Sequence, residues 1–325
     1  MTQPPAEALK ELVDGYKLSQ AIYVAAELGI ADLLPRSCDE LAEETGADPA
    51  TLYRLLRALA AAGVFREEDG RRFSSTPVGD CLRADAERSL RDWILFTARP
   101  LYWNTWTGLL ESVRTGGNAF AQVNGQGMWA YRATRPEERG VFDRAMASLS
   151  RRLNAALLES VDFGRFGTVV DVGGGNGALL AALLAVHPGM RGVLFDQPHV
   201  VEAAELAERC EAVGGDFFEA VPAGGDAYVL KSITHDWSDE EVGRILASIR
   251  RAAPAGASVL IVERELGSPN RDLEAKLSDL NMLVLPGGRE RTEDEFAALL
   301  SGAGLRYAGA TPVAAGVRVF EGIAE

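Results

Sequence analysis

Residues 168–184, TVVDVGGGNGALLAALL, decide the fold: a short β-branched run enters a glycine-rich turn and leaves it as an apolar helix. Val169, Val170 and Val172 give Thr168–Val172 the composition of a strand buried on both faces of a parallel sheet. Gly173, Gly175 and Gly177 let the backbone turn tightly and approach a ligand, and the helix opening at Ala178 aims its first amides at the same place. The spacing also comes near a dinucleotide fingerprint, because Gly173, Gly175 and Ala178 fit G-x-G-x-x-G/A.

Asp171 separates the two ligand classes. A carboxylate at the end of this strand repels the pyrophosphate of a dinucleotide and favours a ligand carrying an ammonium and a sulfonium. Asp196, ending the next strand, is placed to accept hydrogen bonds from ribose hydroxyls. Asp216 and Phe217 end a third strand and offer a carboxylate to an adenine amine and an aromatic face to its ring. In this order the segments predict a nucleoside site.

Outward from the glycine turn, strands alternate with helices. Thr168–Val172, Gly192–Asp196, Ala227–Leu230 and Ser258–Val262 read as strands; Ala178–His187, His199–Cys210 and Asp239–Ala253 read as helices. The alternation predicts right-handed βαβ crossovers and a doubly wound parallel α/β sheet. A helix over Thr292–Gly302 precedes two runs, Leu305–Pro312 and Gly316–Ile323, that can pair antiparallel at the sheet edge.

Before residue 160 the pattern is helical. Asp39 reads as one helix cap, and Asp48-Pro49 opens a helix that puts Leu52, Leu55, Leu56 and Leu59 on one face. A hairpin about Asp69-Gly70 completes a winged-helix-like region. Such a region can bind DNA, but the candidate recognition helix carries only Arg54 and Arg57, and its surroundings are acidic. Packing or dimerisation is the better reading. Residues 88–158 are rich in aromatics, including Trp93, Phe96, Tyr102, Trp103, Trp106, Trp129 and Phe142, which pack cores but also suit a flat apolar ligand. The division expected is 1–90, 91–160 and 161–325.

Composition narrows the partners. Among 325 residues, 33 basic against 47 acidic ones give a net charge of −14, which repels nucleic acid and anionic lipid. Cys38, Cys81 and Cys210 lie far apart with no C-x-x-C pair, so no zinc or redox motif is expected, nor any metal. With no leader-like start and no long apolar run, the expectation is a cytoplasmic protein without membrane contact.

The chain has three histidines, and His187 and His199 sit at helix ends where capping explains them. His235 lies just past the strand Ala227–Leu230, at the sheet edge where open α/β folds hold ligands. It is the candidate general base.

Taken together, DVGGGNG, FDQP, GDFF, LKSITHDWSDEE and GGRERTEDEF resemble the S-adenosylmethionine-dependent O-methyltransferases of the plant caffeic acid type and their bacterial natural-product relatives. The resemblance spans nearly the whole chain. It implies a class I methyltransferase sheet with an N-terminal winged-helix-like dimerisation domain, a homodimer, and S-adenosylmethionine as cofactor. It carries Gly173, Asp196, Asp216, Phe217 and Lys231 to cofactor contacts, and Trp237 to stacking near the adenine. It puts Glu263 and Glu290 beside His235 as orienting carboxylates. Met146, Asn281 and Met282 would border a pocket for an aromatic acceptor, with Trp103, Met128 and Phe142 as further lining. Two other functions stay open: a relative that uses the same cofactor for a decarboxylation or hydroxylation of a polyketide, and a DNA-binding regulator.

Overall fold

The computed structural model describes residues 4–204 and 206–325. Two compact units divide them: the chain up to Asn104 with Arg135–Leu149, and Thr105–Thr134 with Ser150–Glu325. The segment 91–160 is shared between these units rather than standing apart.

In the first unit, β1 (Arg36–Ser37), β2 (Phe65–Glu68) and β3 (Arg72–Ser75) form an antiparallel sheet in the order β1-β3-β2. Helices Pro5–Glu27, Cys38–Thr45 and Pro49–Ala61 close a core that includes Ile30, Leu41, Leu52, Leu56, Leu59, Phe65 and Phe73. Asp48 caps the third of these helices and Pro49 opens it, as expected. The cap of Cys38–Thr45 is Ser37, not Asp39. Ser37 and Glu40 satisfy each other's backbone N–H groups in a capping box, which leaves Asp39 in the first turn. Leu9, Leu12, Val13 and Tyr16 stay exposed on the first helix.

The second unit holds a seven-stranded sheet in the order β6-β5-β4-β7-β8-β10-β9. Its strands are β4 (Thr168–Val172), β5 (Arg191–Asp196), β6 (Cys210–Gly214), β7 (Ala227–Lys231), β8 (Ser258–Arg264), β9 (Leu305–Ala314) and β10 (Val317–Ala324). The first five are parallel; β10 runs antiparallel to β8 and to β9, giving the expected edge hairpin. Helices such as Ala178–Val186 and Asp239–Ala252 bury Leu180, Leu183, Ile245 and Ile249 against the sheet. The order reverses between β4 and β7, so ligands belong beyond the carboxyl ends of β4, β5, β7 and β8.

Of the helix expected over His199–Cys210, the described residues form one only at Pro198–Val201. Pairing with β5 takes the chain instead, since Cys210 starts β6 in register with Gly192. Arg209 fixes that return by donating to the carbonyls of Leu184, His187 and Met190. Among the described residues, no helix is long and apolar enough to cross a membrane.

Candidate active site

The glycine turn has the conformation its composition demands: Gly173, Gly175 and Gly177 have φ of 74°, 60° and 77°, in the left-handed region. Gly174, which sequence reasoning passed over, is needed for close approach. A Cβ there would lie 2.6 Å from the Asp171 carboxyl and from Leu194. The structure therefore buries Asp171 beneath the turn, 1% exposed, instead of presenting it at an open strand end. Burial pushes its carboxyl up to about 7, partly opposed by the ammonium of Lys231. Its Oδ2 finds no hydrogen-bond partner among the described residues.

Asp196 ends β5 and closes the turn from the other side. Its two oxygens accept from Gly175 N at 2.8 Å and Gln197 N at 2.7 Å. Burial raises its pKa against those two donors. Lys231, the last residue of β7, donates to Ser150 Oγ at 2.9 Å, and burial lowers its ammonium pKa against the pull of Asp171 and Glu263. Asp216 is exposed and holds Phe218 N at 2.8 Å. The rings of Phe217 and Phe218 meet Trp237 edge-on, at 5.8 and 4.9 Å between centroids. Phe217 also reaches the glycine turn, with a ring carbon 3.9 Å from where a Gly173 Cβ would be. The nucleoside-contact candidates thus gather along the carboxyl edge of β4, β5, β6 and β7.

His235 sits in a 3-10 turn, Thr234–Asp236, just after β7. Glu263, near the end of β8, organises this turn: its Oε1 accepts from Ile233 N, Thr234 N, Thr234 Oγ1 and His235 N at 2.7–3.3 Å. That leaves Oε2 facing the imidazole, 3.2 Å from Nδ1. Glu290 approaches the same nitrogen at 3.4 Å while accepting from Ser278 Oγ at 2.7 Å. Neither contact to Nδ1 is linear enough for a full hydrogen bond, so one N–H lies between two carboxylates. Nε2, 3.7 Å from Asp236 Oδ1, is the nitrogen left to exchange a proton.

Burial disfavours a charged imidazole here, but Glu263, Asp236 and Glu290 outweigh it and push His235 up to about 10. Glu263 is itself raised, chiefly by burial; Glu290 is held below the usual carboxylate range by His235 and Ser278 against its own burial. Asp236 is pushed up to about 6, mainly by burial, with His235 opposing. The sequence shows no metal motif, yet the fold brings ligand atoms of His235, Glu263 and Glu290 within 4.8 Å of one another.

This proton can be watched directly. The Cε1 resonance that disappears in His235→Ala is expected not to titrate between about pH 5 and about pH 8.5 in the cofactor-free protein. A midpoint near 6.5, the unperturbed value, would show that the carboxylates do not hold the charge.

Of the acceptor candidates, Met128 and Met282 are buried and Asn281 half-buried in the second unit, on helices Met128–Ala133 and Leu273–Val284. Asn118, which the sequence did not single out, secures the end of the latter helix by donating to the carbonyls of Leu283, Val284 and Leu285. Trp103, Phe142 and Met146 belong to the first unit. There Trp103 packs at 6.5 Å from the exposed Tyr16 and Phe142 at 5.5 Å from the buried Phe96, both partners in the same unit.

Comparison with known proteins gives a consistent result. The family model of an O-methyltransferase domain matches residues 106–306, and that of an O-methyltransferase dimerisation domain matches residues 10–85. The chain is 41% identical to the phenazine O-methyltransferase PhzM of Lysobacter antibioticus, over 98% of this chain and 96% of that one. It is 40% identical to the mitomycin biosynthesis 6-O-methyltransferase of Streptomyces lavendulae, over 97% and 93%. It is 39% identical to the 8-amino-8-demethylriboflavin N,N-dimethyltransferase of Streptomyces davaonensis, over 91% and 89%. The crystal structure of LaPhzM matches with a TM-score of 0.94 at 40% identity, over 99% of this chain and 100% of that one. CalO1, a methyltransferase in calicheamicin biosynthesis solved in its SAH-bound form, matches at 0.88 and 35%, over 100% of both chains.

Proposed function

The chain belongs to the S-adenosylmethionine-dependent O-methyltransferase family, and from that premise we propose that it methylates a phenolic hydroxyl of an aromatic natural product with His235 as general base. The observation that carries this reading is the imidazole between Glu263 and Glu290, with Nδ1 committed to the carboxylates and Nε2 left for the acceptor. A phenol of pKa near 10 is mostly protonated at neutral pH, so its oxygen gains nucleophilicity only as the proton leaves. A positioned base contributes about 10²- to 10⁴-fold.

The donor set fits S-adenosylmethionine. Asp196 would hold the ribose hydroxyls, exchanging its present amide contacts in part; Asp216 and Phe217 would meet the adenine with Trp237 beside it; Gly173 and Gly175 would let the backbone come close. Lys231 and the unpartnered oxygen of Asp171 complete the cofactor side. Bound there, the cofactor supplies an electrophilic methyl on a cationic sulfur, whose charge favours the neutral imidazole. The acceptor oxygen bonds to the methyl carbon at the expense of the bond to sulfur while its proton passes to Nε2 of His235. Glu263 and Glu290 stabilise the imidazolium so formed, and alignment of the reactants lowers the barrier further.

Met128, Asn281 and Met282 would line the acceptor side within the second unit, where thioethers adapt to a flat ring. Trp103, Phe142 and Met146 stay proposed for the same role on the first unit. The N-terminal helix, with Leu9, Leu12, Val13 and Tyr16 outward in a dimerisation domain, supports a homodimer. That domain leaves the DNA-binding reading without an observation in its favour.

Release of S-adenosylhomocysteine tests the reaction class. Each phenol in a panel is expected to release it, and its analogue lacking the hydroxyl is not. Turnover of acceptor without release would favour the decarboxylating or hydroxylating alternative; release with aromatic amines alone would favour N-methylation, the activity named for the riboflavin-analogue relative.

A further inference from the structure

Arg291 takes a place in the site that its neighbours in sequence do not announce. Its side chain is 0% exposed, the largest fully buried side chain described. A buried guanidinium is tolerated only when its donors are satisfied. Here Nε donates to Asp239 Oδ1 at 2.8 Å, Nη1 to Thr234 O at 2.7 Å and Nη2 to Trp237 O at 2.8 Å. The two carbonyls flank His235 and Asp236. On the amide side of the same turn stands the Glu263 carboxylate, so an anion holds the N–H groups and a cation holds the carbonyls.

The main chain of Arg291 is tied as well: Leu266 N donates to Arg291 O at 2.8 Å, just past the β8 strand that carries Glu263. Arg289 N donates to His235 O at 2.9 Å, and Glu290 lies between these two arginines. One residue therefore connects the turn bearing the imidazole to the segment bearing its second carboxylate.

We propose that Arg291 is a positioning residue for methyl transfer, which keeps His235 and Glu290 in register so that Nδ1 stays between the carboxylates; this rests on His235 being the base. Lysine is a poor substitute. It keeps the charge but cannot present a planar fork to two carbonyls and a carboxylate at once.

The test compares full-length Arg291→Lys, Arg291→Ala and His235→Ala with the parent, measuring kcat, acceptor KM, calorimetric affinity for S-adenosylhomocysteine, and kcat against pH. Arg291→Lys is expected to lose about 10- to 100-fold in kcat through misplacement of the base, with cofactor-product affinity within about twofold. Arg291→Ala falls further, so lysine rescues in part. The ascending limb of the pH profile moves to lower pH in Arg291→Lys, because an imidazole loosened from its carboxylates gives up its proton more readily. A merely structural role would lower the active fraction without moving that limb. Parent-like kcat in Arg291→Lys, or a loss with the limb unmoved while His235→Ala is inactive, overturns the positioning role alone. Parent-like turnover by His235→Ala overturns the base assignment and this inference with it.

Discussion

His235→Ala is expected to lose about 10²- to 10⁴-fold in kcat on a phenol of pKa near 10, while binding S-adenosylhomocysteine about as tightly as the parent. The expectation follows from the separation of parts. The glycine turn and Asp196 lie at the ends of β4 and β5, whereas the imidazole lies beyond β7 with Glu263 and Glu290 as its charge partners. Removing the ring also leaves those two buried carboxylates without the cation between them, so some loss of stability accompanies the loss of rate. A melting curve separates the two: a folded, cofactor-binding and nearly inactive variant is the predicted outcome. A folded variant with parent-like kcat would remove His235 as the base.

Gly288→Ala is expected to be damaging for a steric reason. A Cβ at this position would lie 2.0 Å from His235 O, 2.5 Å from Asp236 C and 2.7 Å from Trp237 N. All three are backbone atoms, so no side chain can swing away; either the loop or the turn that bears His235 must move. Overpacking of this kind costs about 1–3 kcal/mol, and the upper end is expected here. If His235 is the base, as proposed, a shift of about 1 Å in its position costs about 10²-fold in rate. Denaturant unfolding and kcat check the two parts, and a variant with parent-like midpoint and turnover would contradict the contact.

These two substitutions mark what was legible in the sequence and what was not. The glycine turn, the alternating strands and the edge hairpin follow from local composition and period, so β4, β5, β7, β8 and the final pair fall where the pattern puts them. His235 was legible because a strand end followed by a helix cap is a local signal, and Ser238 caps the helix that follows. Glu263 and Glu290 came through resemblance alone, since nothing in a strand-end or loop carboxylate says which ring nitrogen it faces. Gly288 and Arg291 were missed because their roles exist only in contacts made about 50 residues away along the chain, where a glycine leaves room for a carbonyl that a side chain would displace and a guanidinium donates to two others. The helix expected after His199 failed for a comparable reason: pairing of Cys210 with β5 and the carbonyl contacts of Arg209 outweigh a helical pattern of alanines and glutamates. The side of Asp171 that matters was also tertiary, set by Gly174 and Leu194 closing over it.

In the proposed mechanism His235 takes the acceptor's proton during methyl transfer. The most direct test is kcat for the parent and His235→Ala over a series of phenols alike in shape, with pKa from about 10 down to about 7. If the imidazole removes the proton, the deficit of His235→Ala shrinks as the acceptor becomes more acidic, because the more acidic phenols ionise without help. A deficit that stays constant across the series would mean that His235 does something other than accept the proton, and the proposed mechanism would be wrong.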